Sequence, residues 1–301
     1  MAVILNMAAG STEGGAAEEL RRVLGGHFAA HGIDATLTFV AGPAIGEAAR
    51  HALERVRNHE LDAIVAGGGD GSIRAVASVL SDSDVPMGIV PLGTYNHFAR
   101  DLAIPTEMDA AVAVIAAGVT RRIDVGEVNG RVFINNSSIG LYPTLVVVRT
   151  ERRNGTRLPK WIATLLAAPR LIRSLPVFRL TICAEDWTEP LRSPFVFVGN
   201  NEYSLSVPAF GQRATLDRGE LWLYVAKAEG WPSLLWHAGR AVFTSGQDPA
   251  YRPVKVTSAE ISSRRRHLLV ACDGEVEVMR APLRYAIRPR ALRVFAPAPS
   301  G

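Results

Sequence analysis

The feature that most constrains this sequence is a cluster of glycines directly after a short apolar segment. Residues 61–66 are largely apolar, which predicts a buried strand, and four of the next five residues are glycine. Ser72 then opens the amphipathic segment 73–80, which predicts a helix. A strand, a glycine-rich turn and a helix start together present backbone N–H groups and a positive helix end to an anion. Because glycines leave room for a phosphate, the loop predicts nucleotide binding.

The loop follows neither of two common phosphate-binding patterns. It lacks the lysine of GxxxxGK[ST], and its glycines do not follow GxGxxG. It also holds an acid, Asp70, which would repel phosphates unless a metal ion, a nucleotide hydroxyl or a proton transfer uses it. The alternative is an ordinary glycine turn after a strand, which is common in α/β proteins.

The composition is that of a globular protein, with 48% apolar and 21% charged residues. The net charge of +4 is mild, so nucleic acid is not expected as a partner. Cys183 and Cys272 fit no metal or redox spacing, and residues 1–5 lack the basic start of a signal peptide. We therefore expect a cytoplasmic protein without a membrane span, which lies on the membrane surface if it meets one.

Up to Arg121 the sequence alternates strand and helix patterns, which predicts a parallel sheet flanked by helices. Turns follow three of the strands, at Asn6, at 68–72 and at 93–96. Because parallel strands end at one edge of a sheet, these three turns should lie close together. In the third turn, Thr94 is the expected N-cap of a helix over 95–102.

After Arg121 the pattern changes to strands separated by turns. The dipeptide Asn129-Gly130 predicts a two-residue hairpin, and further strands are expected within 178–184, 194–200, 221–225, 267–272, 275–279 and 283–288. Two helical segments, 158–174 and 231–243, interrupt them. We therefore predict an α/β domain over 1–125 and a β-rich, antiparallel domain over 126–301.

Three motifs carry a resemblance to a known family. They are Gly68-Gly69-Asp70-Gly71-Ser72, the element PLGTYNHFAR over 91–100, and Asp273-Gly274-Glu275. In this order they resemble the diacylglycerol kinase catalytic-domain family, which includes bacterial diacylglycerol and lipid kinases, sphingosine kinases and ceramide kinases. GGDG alone is shared with NAD kinases, whereas the second element is more specific to the lipid kinases.

The resemblance implies an N-terminal α/β domain, a C-terminal β-sandwich, and ATP accompanied by Mg²⁺ in the cleft between them. It also implies nucleotide-contacting residues in the first turn, after the second strand and in the two later turns. These are Asn6, Gly10, Thr38, Gly68, Gly69, Asp70, Gly71, Ser72, Thr94 and Asn96. The general base is expected in the third motif, at Glu275 or Asp273, with Asp70 as their rival.

The sequence departs from the family's pattern at three places. Arg74-Ala75 replaces the asparagine and glutamate that follow GDGT in the family, and the arginine is expected either to reach a phosphate or to be solvated. His97 replaces an aspartate that helps to organise a water and magnesium network, for which Asp124 is an alternative centre. A segment that supports a metal ion in the family reads TLDRGEL over 215–221 here, so Asp217 is the candidate metal ligand.

The resulting prediction is an ATP-dependent kinase of a diacylglycerol-like or sphingoid membrane lipid. The segment 158–174 combines an apolar face with lysine and arginine, which favours either peripheral contact with the cytoplasmic membrane face or a helix that covers the β-rich core. Two alternatives stay open: a kinase of a soluble metabolite such as NAD, and a degenerate member that binds lipid or nucleotide without turnover. A homodimer is also compatible with a β-rich domain that has exposed strand edges.

Overall fold

The computed structural model describes residues 1–7, 14–140, 177–185, 187–204, 211–226 and 251–298. Gly10 and the two expected helices at 158–174 and 231–243 lie outside the described residues. Within these ranges, no helix is long and apolar enough to cross a membrane.

The first part of the chain forms the predicted parallel sheet, with strand order β2-β1-β3-β4. Its strands are β1 (Ala2–Asn6), β2 (Thr36–Val40), β3 (Ile64–Gly68) and β4 (Met87–Pro91). The helices that connect and cover them are α1 (Gly14–Ala30), α2 (Ile45–Arg57), α3 (Asp70–Leu80), α4 (His97–Asp101) and α5 (Met108–Ala116).

Alternate residues of the parallel strands fill two apolar layers, one on each face of the sheet. Ile4 of β1 packs into the layer under α2 and α3, whereas its neighbours Val3 and Leu5 pack into the layer under α1 and α5. Burial on both faces explains why these strands have continuous apolar sequences rather than an alternating pattern.

The rest of the chain forms two sheets that pack on each other. The predicted hairpin of β5 (Thr120–Val128) and β6 (Arg131–Phe133) is present, and Asn129 and Gly130 take φ values of 48° and 83° in its turn. The remaining strands are β7 (Asn136–Gly140), β8 (Phe178–Ala184), β9 (Trp187–Ser193), β10 (Phe195–Asn200), β11 (Leu221–Ala226), β12 (Tyr251–Val256), β13 (Ser258–Ser263), β14 (His267–Cys272), β15 (Glu275–Arg280) and β16 (Leu283–Phe295).

The last strand connects the two parts of the chain. β16 pairs with β5 in antiparallel fashion, and it pairs with β4 in parallel fashion where Val294 lies opposite Met87. One large sheet therefore continues from β2 through β16 to β9, and a second, antiparallel sheet has the order β12-β11-β10-β7-β14-β15. The α/β architecture with a β-rich antiparallel part is thus confirmed. The expected domain boundary at residue 125 falls within β5 and stays a prediction.

Two local expectations about the turns were wrong. Thr94 is exposed and is not the N-cap of α4, because the helix starts only at His97 and the cap position is taken by Asn96. Asn96 has a left-handed backbone with φ 48°, which asparagine tolerates better than threonine. Helix α3 begins earlier than expected, at Asp70, because the N–H groups of Ser72 and Ile73 already donate to the carbonyl of Gly69.

Candidate functional site

The three turns at the carboxyl edge of the parallel sheet lie in contact, as predicted. Nδ2 of Asn6 donates to Oγ of Ser72 at 3.0 Å, and the N–H of Leu92 donates to the carbonyl of Gly68 at 3.0 Å. The second and third turns approach so closely that a Cβ on Gly93 would stand 2.6 Å from Cα of Gly69. Glycine is therefore required at position 93 for this packing.

The start of α3 offers backbone donors. The carbonyl of Gly69 accepts from Ser72 and Ile73 at 2.9 and 3.1 Å, which closes the first helical turn. The N–H groups of Asp70 and Gly71 make no hydrogen bond to the part of the chain that the structure describes. An anion at this helix end would find two free donors and a favourable helix dipole.

Asn96 shapes the loop between β4 and α4. Its Oδ1 accepts from the N–H of Gly93 at 3.0 Å, and its Nδ2 donates to the carbonyl of the same residue at 2.9 Å. The side chain is buried, so its polar atoms are used within the loop. Asp70 also supports this loop, since its Oδ1 accepts from the N–H of Phe98 in α4 at 3.2 Å.

A cleft of about 780 Å³ opens between these turns, the start of α2 and the hairpins of the β-rich part. Among the predicted site residues, it is lined by Asn6, Gly69, Gly71, Ser72, Thr94 and Glu275. Gly68, Asp70 and Asn96 lie in the same turns without lining the cleft, and Thr38 is an exposed residue of β2. Three arginines, Arg50, Arg74 and Arg131, also line it, so the cleft carries the charge that suits a polyphosphate.

Glu275 lies between two of these arginines. Its Oε2 contacts the guanidinium group of Arg74 and lies 3.1 Å from Nη2 of Arg131. The Arg74 side chain is only 5% exposed, whereas that of Glu275 is 51% exposed. Arg74 is therefore not the solvated residue that was one of its two expected roles.

Asp273 has a different environment, although it stands two residues away. Its Oδ2 accepts from the N–H of Ile134 at 2.8 Å, and its Oδ1 accepts from the N–H groups of Asn135 and Asn136 at 2.8 and 3.0 Å. Burial raises the pKa of the Asp273 carboxyl above its ordinary value, although the three N–H donors act in the opposite direction. The carboxylate is thus held in one orientation beside the loop that joins β6 to β7.

The acids considered for a metal ion do not form a ligand set. The Asp124 carboxylate is fully buried and accepts from the N–H groups of Gly219 and Arg290 at 2.6 and 2.8 Å and from Nδ2 of Asn201 at 3.1 Å. Asp217 lies near the surface, 3.9 Å from Nη2 of Arg121. Within the described ranges, no group of three histidine, cysteine or acidic side chains could hold a metal ion.

Sequence reasoning missed a second buried arginine, Arg213. Its Nε donates to Oδ2 of Asp101 at 2.8 Å, its Nη1 to the carbonyls of Ile134 and Asn200 at 2.7 and 3.0 Å, and its Nη2 to Oδ1 of Asn135 at 2.7 Å. The pair links α4 to the β-rich part. No local pattern signals it, because the partners are 112 residues apart in the sequence.

The first part of the chain matches a known protein family. Residues 1–128 match the family model described as diacylglycerol kinase catalytic domain. This segment belongs to the diacylglycerol kinase catalytic-domain family. The family domain thus contains the first, second and third turns, and the match ends at the hairpin that leads to Arg131.

Curated relatives of this catalytic domain include two bacterial kinases. A diacylglycerol kinase of Bacillus subtilis strain 168 is 47% identical over 91 residues, which is 29% of this chain and 30% of that protein. The lipid kinase YegS of Escherichia coli strain K12 is 36% identical over 112 residues, which is 36% of this chain and 37% of that protein. The matched segments therefore span about a third of the length of these relatives.

A solved structure extends the likeness of the fold beyond the catalytic domain. The crystal structure of a diacylglycerol kinase from Bacillus anthracis str. Sterne matches with a TM-score of 0.70 and 20% identity. The match covers 98% of this chain and 96% of that one, so both share the whole architecture of α/β sheet and β-rich part.

Proposed function

We propose that this protein is an ATP-dependent lipid kinase that phosphorylates a hydroxyl of a diacylglycerol-like or sphingoid lipid. The observation that carries the proposal is the cleft in which the glycine-rich start of α3, the loop of Thr94 and the arginine-paired Glu275 meet. Free backbone donors and three arginines in one cleft are what a polyphosphate requires. The names of the curated relatives, diacylglycerol kinase and lipid kinase, support the choice of a lipid as acceptor.

The reaction asks the protein mainly for positioning. The acceptor oxygen forms a bond to the γ-phosphorus while the bond from that phosphorus to the β,γ-bridging oxygen breaks and ADP leaves. The hydroxyl proton moves to a carboxylate of the protein. In this scheme the start of α3 holds the phosphates, and the β-rich part supplies the base.

We propose Asp273 as this base. Three backbone N–H groups fix its carboxylate and leave a lone pair on Oδ2, and its raised pKa makes it a better proton acceptor than an exposed aspartate. Glu275 is engaged by two guanidinium groups, and Asp70 is directed to the N–H of Phe98. These two acids remain the rivals that the experiment below compares.

The family implies Mg²⁺, and among the residues that the structure describes no group of three histidine, cysteine or acidic side chains could hold it. The Asp124 carboxylate already accepts three N–H donors, and Asp217 faces an arginine. The Mg²⁺ of this proposal would therefore arrive with the ATP phosphates, whose charge it would neutralise. The membrane lipid is proposed to be phosphorylated at the cytoplasmic membrane face, and the segment 158–174, on which peripheral contact was expected, lies outside the described residues.

A radiolabelled ATP transfer assay tests the proposal. The full chain is incubated with Mg²⁺ and γ-labelled ATP against diacylglycerol, sphingoid lipids, ceramide and NAD. We expect label on one lipid class, loss of transfer by a factor of a hundred or more in Asp273→Asn, as for a general base, and a smaller loss in Asp70→Asn. Because burial raises the pKa of Asp273, kcat/KM should fall on the acid side through a pKa above about 3.9, the ordinary value for aspartate.

Other outcomes would contradict specific parts of the proposal. Label on NAD alone would make the protein a kinase of a soluble metabolite. ATP binding without transfer to any acceptor would indicate a binding protein without turnover. A greater loss in Asp70→Asn or Glu275→Gln than in Asp273→Asn would reassign the base.

A further inference from the structure

Glu275 occupies a position in the cleft that suits an anionic ligand. Its Oε2 contacts the guanidinium groups of Arg74 and Arg131. Its Oε1 lies against the first turn of α3, since a Cβ on Gly71 would stand 3.2 Å from this oxygen. The carboxylate therefore meets two guanidinium groups and a helix N-terminus, which are the groups that bind phosphate in proteins.

Arg74 has unused binding capacity. The residue is 4% exposed, and its Nε has no hydrogen-bond partner among the residues that the structure describes. A buried guanidinium group with an unpaired donor is costly, and a ligand that supplies the missing acceptor recovers that cost.

The counter-ion of Arg74 can be exchanged. The Glu275 side chain is 51% exposed, so its carboxylate would be rehydrated readily on leaving the arginines. Arg131 would keep a second acid, because its Nε also lies 3.1 Å from Oε1 of Glu277. Arg74 forms no second salt bridge within the described ranges, and it therefore gains most from an incoming anion.

We propose that Arg74 and Arg131 form the binding site for the terminal phosphate of a nucleoside triphosphate, and that Glu275 fills this site as an internal competitor until the nucleotide binds. This inference rests on the proposed function, because it takes ATP as the ligand of the same cleft. It gives Glu275 a role that differs from that of a general base. The phosphate oxygens replace the carboxylate on both guanidinium groups, and Glu275 moves towards solvent.

Nucleotide binding by charge-altered variants tests this site without any need for turnover. Isothermal titration calorimetry measures the affinities for ATP with Mg²⁺, for ADP with Mg²⁺ and for inorganic tripolyphosphate. Glu275→Gln keeps the size of the side chain and removes its charge, so we expect it to bind ATP and tripolyphosphate about three- to tenfold more tightly. Arg74→Met should bind both about tenfold more weakly. ADP lacks the γ-phosphate, so all variants should bind ADP as tightly as the unaltered protein does.

The controls separate loss of the site from loss of the fold. The Glu260 carboxylate lies 3.1 Å from Nε of Arg284 on the large sheet, away from the cleft. Glu260→Gln therefore removes an ion pair by the same substitution as Glu275→Gln, and it should leave every affinity unchanged. If Arg74→Met does not fold, Arg131→Met takes its place, because the Arg131 side chain is 39% exposed and its loss is better tolerated.

The possible results have distinct meanings. The inference would be overturned if Glu275→Gln bound ATP no more tightly than the unaltered protein, or if Arg74→Met, or Arg131→Met in its place, kept full ATP affinity. Equal changes for ADP and ATP would also overturn it, because the site would then not belong to the terminal phosphate. If the variants show the expected order of ATP affinities but no lipid is labelled, only the proposed lipid kinase activity is contradicted. If a lipid is labelled but the affinities do not follow that order, only the proposed phosphate site is contradicted.

Discussion

Arg213 and Arg74 are both buried, but the regions around them differ in how completely polar atoms are paired. We call the surroundings of Arg213 the junction, which consists of Asp101, Asn135 and Asn200 together with Arg213. There every guanidinium nitrogen donates to a carboxylate, an amide oxygen or a carbonyl. In the cleft, by contrast, Nε of Arg74 has no partner among the described residues.

The acids that pair with the two arginines differ in their exposure to solvent. Asp101 has a side chain that is 9% exposed, whereas the Glu275 side chain is 51% exposed. Breaking a buried pair leaves an uncompensated charge, while a carboxylate that can return to water loses little. Burial of an arginine therefore does not by itself distinguish a structural role from a ligand-binding role. The pairing of its donors and the exposure of its counter-ion do.

The largest expected effect is on stability at the junction. Arg213→Met should lower the free energy of unfolding by about 3–5 kcal/mol, because it removes the buried cation that pairs with Asp101 and one donor to each of two carbonyls. Arg74→Met should cost about 1 kcal/mol or less, since its counter-ion is half-exposed. Urea denaturation followed by circular dichroism measures both changes.

A double variant tests the cause of the junction effect. Arg213→Met with Asp101→Leu removes both charges, so it should recover part of the stability lost in the single variant. Equal losses of stability in Arg213→Met and Arg74→Met would contradict the distinction between the two regions.

The second prediction concerns the contact between the two glycine turns of the cleft. A Cβ on Gly93 would stand 2.6 Å from Cα of Gly69, and backbone cannot move aside as a flexible side chain can. Gly93→Ala should therefore separate the turns, lower the free energy of unfolding by about 1–3 kcal/mol, and weaken ATP binding by about tenfold or more. Urea denaturation and calorimetry measure the two effects.

A glycine with free space provides the matched control. Gly25 lies in α1, and no atom stands within 4 Å of a Cβ added there. Gly25→Ala should increase the free energy of unfolding by roughly 0.5–1 kcal/mol and leave ATP affinity unchanged. Tight ATP binding by Gly93→Ala would show that the close approach of the turns is not needed for the site.

Local sequence patterns predicted most of the fold and the framework of the site. Apolar runs and helical spacing gave β1, β3, β4 and their helices, and the dipeptide Asn129-Gly130 gave the hairpin turn. The strands β7, β9, β12 and β13 were missed. Ser137 and Ser138 interrupt the apolar pattern of β7, and β9 is an edge strand that contains Pro190. Local sequence patterns depend on a few neighbouring residues, so they predict turns and strands but not contacts between residues that are far apart in the sequence.

The pairing of the charged side chains in the site could not be predicted in the same way. Arg74 and Glu275 are 201 residues apart in the sequence, and only the folded chain brings them together. The three N–H groups that fix Asp273 come from a loop more than a hundred residues earlier, as their sequence separations of 137 to 139 show. Pairing of this kind depends on the tertiary fold, and it decides which of the three candidate acids is engaged by cations and which by the backbone.

The smallest expected effect concerns the chemical reactivity of Cys272, a buried residue next to the cleft. Cys272 directly precedes Asp273; its Sγ lies 3.6 Å from Oγ of Ser137, and burial raises the pKa of its thiol to about 12. The thiolate is the reactive form, and the raised pKa of Cys272 makes it scarce at pH 8. Cys183 is partly exposed and is the matched control. Modification by iodoacetamide at pH 8, followed by mass spectrometry, should label Cys183 well before Cys272 in the folded protein and both alike in urea. Prompt labelling of Cys272 in the folded protein would mean that reagents reach the buried thiol opposite Glu275 in the hairpin, and that the backbone around Asp273 is accessible to small ligands.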